Sequence, residues 1–204
     1  MSNVVYGGNS MNHFNKHHKI SIDYTNPHCI LQISNFFYSK LNMLDTNIIV
    51  LCIGTDRSTG DSYGPLTGTL LSHSKLRKID IIGTLNSPVH ALNIEKTIQS
   101  IYQSDPTPFI IAIDASLGQS KSVGQIIYGV GQIEPGKAVK KKLPPIGDMF
   151  ITSIVNIGGL MEYTILQSTR LSLVYKLAYK TAKIIQLTDF YLSRDTHHLS
   201  INER

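Results

Sequence analysis

Short apolar runs alternate along this chain with longer segments whose apolar residues recur every three or four positions. Residues 47–53 are apolar on both faces, as a central strand of a parallel sheet is, and residues 109–113 share this character. Residues 29–38 and 91–103 have the spacing of helices that pack on one side. Strands and helices in this order predict crossover units around a mostly parallel sheet, which is an α/β fold.

The remaining elements follow from the same patterns. Pro65 suits the first position of a helix and predicts one that ends near Leu76. A single long helix is predicted from Leu160 to Leu187, because its apolar residues form a stripe opposite several lysines. Further strands are predicted at residues 78–83, 124–130 and 151–156.

Length and composition indicate one globular domain. A chain of 204 residues, 42% hydrophobic and 16% charged, can bury a proper core, and no repeat or linker divides it. We expect a flexible arm at residues 1–27, a single α/β domain at residues 28–190 and a frayed tail at residues 191–204. The net charge of +5 permits an acidic partner without requiring one, and we expect no direct contact with nucleic acid.

Cysteine content and hydropathy bear on the compartment. Cys29 and Cys52 are too few for a disulfide framework and lack metal-binding spacing, which favours a reducing, intracellular setting. The chain has no signal-peptide pattern, and no apolar run approaches the ~20 residues that a membrane span needs. We therefore expect a cytoplasmic protein that does not contact a membrane, and the sequence leaves its oligomeric state open.

Two aspartates follow segments that are predicted to be buried strands. Asp61 lies in the glycine-rich stretch 54–65, and Asp114 closes the apolar run that begins at Phe109. Ligand crevices in α/β folds form at the carboxyl ends of strands, so we expect both side chains in one crevice. Two such carboxyls cannot both ionise easily, so the ionised one can accept a proton from water while the other donates one. The pattern favours amide hydrolysis by this pair, or hydrolysis by water on a bridging metal.

Other residues near the pair have competing interpretations. Ser62 completes a GxSxG pattern, in which the serine of a hydrolase stands on a sharp turn directly after a strand. Here the apolar strand stops at Ile53, well before Ser62, so a Ser62 esterase is the weaker hypothesis. Arg57 is expected either to pair with Asp56 or to steer an acidic substrate. His90 follows the second strand and is expected to face the crevice unless it is simply a buried histidine.

Two further polar features lie later in the chain. Asp148 follows a turn rich in proline and glycine, in which aspartate is ordinary. Lys140–Lys142 form either a solvated loop face or an electrostatic docking patch. For the substrate-binding set we predict Arg57, Ser62, His90 and Asp148.

Four segments together resemble one family. They are residues 54–65, the strand that ends at Asp114, residues 141–148 and residues 156–163, and they resemble the YyaC family of sporulation proteins. That family is similar to the germination protease of spore-forming bacteria and, more distantly, to hydrogenase maturation proteases. The resemblance implies a three-layer α/β/α sandwich.

The resemblance also implies roles. Asp61 and Asp114 match the two catalytic aspartates of the germination protease, which implies an acid-type peptidase acting on small spore proteins in the developing or dormant spore. Hydrogenase maturation proteases carry a metal-binding histidine downstream, whereas residues 148–150 offer none, so we expect no metal or other cofactor. The alternative is a non-catalytic sporulation protein that binds a peptide or partner in the same cleft.

Overall fold

The computed structural model describes residues 19–135 and 145–199, with side chains described through residue 194. The strands are Lys19–Asp23 (β1), Ile48–Cys52 (β2), Ile79–Ile82 (β3), Phe109–Gly118 (β4), Gln125–Val130 (β5) and Met149–Ile157 (β6). The helices are Cys29–Leu41 (α1), Tyr63–Ser72 (α2), Ile94–Ser104 (α3), Glu162–Gln167 (α4) and Leu171–Leu199 (α5). Every strand predicted from the sequence is therefore present.

All six strands form one mixed sheet in the order β1-β5-β6-β4-β2-β3. The four strands β3, β2, β4 and β6 run parallel, whereas β5 and β1 pair antiparallel at one side. The prediction of a mostly parallel sheet is thus confirmed. Burial explains the difference between the strands: all five residues of β2 are buried, as a central parallel strand requires, while β1 alternates between exposed and buried positions.

Helices cover both faces of the sheet and create two cores. The larger core joins α1, α2 and α5 to one face, around side chains such as Phe37, Ile111 and Leu177. The smaller core packs α3 onto the opposite face, where Ile94 and Ile98 meet residues of β2 and β4. This arrangement confirms the three-layer α/β/α sandwich. On the α3 side, residues of β5 and β6 next to this smaller core line the cavity described below.

The predicted long final helix is two helices, α4 and α5. The carbonyl groups in the last turn of α4 are engaged by atoms outside the helix ladder. Gly60 donates its backbone N–H to the Leu166 carbonyl at 2.8 Å, and the Thr169 hydroxyl donates to the Ile165 carbonyl at 2.8 Å. The Asn156 side-chain amide also donates to Ile165 and Thr169. These long-range contacts end α4 and turn the chain into α5.

The boundaries of α2 also differ from the prediction. The helix begins at Tyr63 rather than Pro65, so Pro65 lies within its first turn, and it ends at Ser72 rather than near Leu76. Asp61 therefore stands immediately before the cap residue, Ser62, and outside the helix.

Parts of the predicted arm and tail belong to a strand and a helix. Residues 19–23 of the predicted arm form β1, which pairs with β5, and α5 continues to Leu199 through most of the predicted tail. The predicted Lys140–Lys142 patch lies outside the described residues, as do residues 1–18 and 200–204. Within the ranges that the structure describes, we find no helix with the length and apolar character of a membrane span.

Candidate active site

The loop after β2 folds back over the end of that strand. Gly54 has φ of +140°, a conformation that side-chain-bearing residues rarely adopt, and a Cβ there would collide with the backbone carbonyl of Asp61. The Thr55 N–H donates to that carbonyl at 3.2 Å, which ties the start of the loop to its end. At the first turn of α2, a Cβ on Gly64 would collide with the carbonyl of Ile53. Glycines at these two positions let Asp61 sit directly against the strand end.

Asp114 lies inside a strand rather than at its end, which corrects the sequence prediction. β4 continues to Gly118 because it pairs with β6, where Asp114 is opposite Thr152. The neighbouring β2 stops earlier, at the pair Cys52 and Ile113. On its β2 side Asp114 therefore lies just beyond the sheet edge. Its residue surface is 8% exposed, so the carboxyl is buried.

Burial raises the pKa of both carboxyls, and the charge of Asp61 adds to the effect at Asp114. Desolvation raises the pKa of Asp61 from the ordinary 3.8 to about 6, against opposing effects of a hydrogen bond from the Thr55 backbone and of nearby His90. Desolvation also raises the pKa of Asp114 well above its ordinary value, and the charge of Asp61 raises it further. As pH rises, Asp61 thus ionises first and Asp114 holds its proton to higher pH.

The two aspartates share one cavity of about 720 Å³. Of the predicted substrate-binding residues, Arg57 and His90 also line it. The structure therefore brings four of the six predicted site residues together. The cavity wall also includes residues that the sequence analysis did not single out, among them Ser58, Thr152, Glu162 and Tyr163. Glu162 and Tyr163 lie in the segment 156–163 that carried the family resemblance, and from this the sequence could have indicated them as site residues.

His90 is fixed beside Asp61 by the backbone. Its neighbour Val89 forms a parallel bridge with Ile53, and the Val89 carbonyl accepts the Gly54 N–H at 2.8 Å. The Nδ1 atom of His90 accepts the backbone N–H of Leu92 at 3.3 Å. In the neutral ring the proton is then on Nε2, so the nitrogen that remains available is a hydrogen-bond donor.

Arg57 is an exposed residue of the cavity wall. Among the contacts of the described residues, the Asp56 carboxylate accepts the Thr55 hydroxyl at 3.5 Å and forms no ion pair with Arg57, the first of the two predicted roles. The Arg57 backbone N–H donates to the Thr55 hydroxyl at 3.3 Å, which holds the turn. This placement is compatible with its second predicted role, contact with an acidic group of a substrate.

Two predicted site residues are turned away from the cavity. The Ser62 hydroxyl donates to the Thr59 carbonyl at 2.6 Å and is outside the cavity lining. Asp148 precedes β6, at the opposite end of that strand from Asn156, and its carboxylate accepts the Ile110 N–H at 2.9 Å. Burial raises the pKa of Asp148 and this hydrogen bond lowers it. Both side chains hold the backbone, Ser62 through a local hydrogen bond and Asp148 through one to a distant strand.

The described residues contain no group of three or more His, Cys, Asp or Glu side chains arranged to hold a metal. Asp61, Asp114 and His90 line one cavity without forming such a group.

Residues 21–184 match the model of the DUF1256 family, described as proteins of unknown function. The chain belongs to this family. The chain is also similar in sequence to the uncharacterised protein YyaC of Bacillus subtilis (strain 168). The two are 50% identical over 142 residues, which cover 70% of this chain and 69% of YyaC. This similarity confirms the resemblance to YyaC. The solved structure of the NiFe hydrogenase maturation protease HycI from Thermococcus kodakarensis KOD1 matches with a TM-score of 0.47 and 18% identity, covering 70% of this chain and 92% of that one.

Proposed function

We propose that this DUF1256 protein is a peptidase in which Asp61 and Asp114 act as an acid–base pair. The observation that carries the proposal is that the two carboxyls line one cavity with different proton affinities, because Asp114 is buried and lies in the field of Asp61. Peptide hydrolysis needs a base to activate water and an acid to protonate the substrate. A pair with one carboxylate and one carboxylic acid supplies both.

Proton transfers in this scheme balance over one turnover. The Asp61 carboxylate takes a proton from water, and the water oxygen bonds to the carbonyl carbon of the substrate. Asp114 gives its proton to the carbonyl oxygen as it becomes tetrahedral. When the C–N bond breaks, the leaving nitrogen takes the proton from Asp61, and the hydroxyl returns a proton to Asp114. Because the groups titrate as a unit, these roles describe the pair rather than two independent pKa values.

The cavity wall suits an extended peptide. Leu92 and Tyr163 line it with largely exposed apolar side chains, and exposed apolar surface beside a polar centre is typical of a binding site. The guanidinium of Arg57, an exposed residue of the cavity wall, would orient an acidic group of the substrate. By resemblance to the germination protease, we propose small spore proteins of a sporulating bacterium as the substrates, cleaved in the cytoplasm of the spore.

A cleavage assay tests the proposal. We would incubate the full chain with a protein extract of sporulating Bacillus subtilis cells and identify new amino termini by mass spectrometry. Asp61→Asn and Asp114→Asn should each lower the cleavage rate by at least about a hundredfold, because each removes one proton-transfer group. The matched control is Asp56→Asn, an exposed residue of the same loop, which should cleave at the parent rate.

One result would count against the acid–base pair and another against a peptidase. Parent-like cleavage by either Asp61→Asn or Asp114→Asn would remove the acid–base pair from the mechanism. Retention of extract peptides without any new termini, unaffected by either change, would favour the non-catalytic alternative in which the cleft only binds a peptide or partner.

A further inference from the structure

Ser58 has a buried hydroxyl that the fold leaves without a hydrogen-bond partner. The residue is 6% exposed and lies on the cavity wall, three residues before Asp61. No described residue is bonded to its Oγ. Buried polar atoms nearly always have a partner, so such an atom on the wall of a catalytic cavity indicates a bond that a ligand completes.

The position of Ser58 is set by its backbone. Its carbonyl accepts the Ser62 N–H at 2.9 Å in the turn that leads into α2. Other donors of the loop are engaged: the backbone N–H groups of Gly54, Thr55 and Gly60 each donate to a protein carbonyl. Unlike these three N–H groups, the Ser58 hydroxyl has no hydrogen-bond partner among the described residues.

We propose that the Ser58 hydroxyl donates a hydrogen bond to the carbonyl oxygen of the peptide bound at the aspartate pair. This inference rests on the proposed function and adds a substrate-contacting residue to it. Negative charge develops on that oxygen as water attacks and Asp61 takes the proton of the water. Asp114 protonates one side of the oxygen, and Ser58 supplies a neutral donor to the other. Such a donor contributes most in the transition state, because its partner is then most basic.

A first measurement needs no substrate. Removing a buried hydroxyl that has no partner costs the folded protein nothing, so Ser58→Ala should unfold at the parent temperature or above it. Ser153→Ala is the control for the loss of a buried serine hydroxyl, since Ser153 is also buried but lies outside the cavity lining. A fall in melting temperature of more than about 3 °C for Ser58→Ala would show a structural bond and overturn the proposal.

A second measurement uses a synthetic peptide that spans a cleavage site found in the spore extract. Ser58→Ala should lower kcat by about a hundredfold and change KM by less than about twofold, while Ser153→Ala keeps both parent values. A parent-like kcat for Ser58→Ala overturns the proposal. An effect confined to KM also overturns it, because the contact would then be uniform binding rather than stabilisation of charge.

The outcome for Ser58 is separable from that for the aspartates. If Asp61→Asn and Asp114→Asn keep parent rates, the acid–base pair fails while the effect of Ser58→Ala on kcat still decides its own proposal. If the parent binds extract peptides without cleaving them, the measured quantity is the Kd of a bound peptide, and Ser58→Ala should raise it about fivefold. A parent that neither cleaves nor binds any extract peptide overturns both proposals.

Discussion

At the residue scale, the two aspartates differ in how far water reaches them. Asp114 is buried within β4, where it pairs with β6, whereas Asp61 is half-buried in a loop. Losing water destabilises a carboxylate, so the more buried member keeps its proton and the less buried one ionises first. The asymmetry that acid–base chemistry needs is therefore a consequence of position, since the side chains are chemically identical.

Asp61→Asn should stabilise the protein at neutral pH. Because the folded pKa of about 6 exceeds the ordinary 3.8, the folded state holds this proton more tightly, and the wild type loses stability as pH rises from about 4 to 6. The variant lacks this loss, so its free energy of unfolding should exceed that of the wild type by about 2 kcal/mol above pH 6, with no difference below pH 4. Urea unfolding at several pH values measures this, with the exposed Asp80→Asn as control. A difference that does not depend on pH would contradict the raised pKa.

At the scale of elements, the site is built by close backbone contact between the end of β2 and the start of α2. This contact requires residues without side chains at Gly54 and Gly64, and both are occupied by glycine. Helix α4 closes the other side, since Gly60 donates to the Leu166 carbonyl and Leu166 lines the cavity. Close packing thus explains the glycines at positions 54 and 64 of this loop.

Gly64→Ala should destabilise the protein by about 1–3 kcal/mol or more, because its Cβ would meet the Ile53 carbonyl and α2 would have to move off the strand end. Displacement of α2 should also impair cleavage through Asp61. The matched control is Gly158→Ala, whose Cβ would make an ordinary contact of 3.5 Å with Leu117 and should cost less than about 0.5 kcal/mol. Chemical unfolding of both variants gives the comparison. Equal stability of the two would contradict the close approach at Gly64.

At the scale of the whole molecule, α5 holds one helix layer together. It packs against both α1 and α2, and its residues Val174, Leu177 and Ile184 are fully buried in the larger core. The buried Asp189 of α5 accepts the backbone N–H groups of Arg77 and Lys78 at 2.8–3.1 Å, which attaches the chain entering β3 to the helix. A polar residue thus connects this helix layer to the edge of the sheet.

Asp189→Ala should lower the free energy of unfolding by about 2 kcal/mol, because two backbone donors lose a charged acceptor. The effect should appear in urea unfolding, whereas cleavage by the remaining folded protein should be unchanged, since Asp189 is outside the cavity. The control is Asp80→Ala, an exposed aspartate of β3, which should change stability by less than about 0.5 kcal/mol. Parent-like stability of Asp189→Ala would mean that solvent replaces these bonds without cost.

The sequence by itself determined the elements whose pattern is local. Residues 48–52 and 109–113 are apolar on both faces because a central parallel strand is buried on both, and α1 and α3 have one apolar side because they cover a sheet. The place of Asp61 after such a strand could be predicted for the same reason, and so could the family.

Tertiary structure alone decided what depends on residues far apart in the chain. The break between α4 and α5 follows from a hydrogen bond to Gly60, and β4 extends past Asp114 because β6 lies beside it. The proton on Asp114, the unpartnered hydroxyl of Ser58 and the inward bonding of Asp148 depend on burial and on partners that sequence spacing does not encode. Local periodicity therefore specified the layers, and long-range packing specified the chemistry of the cavity.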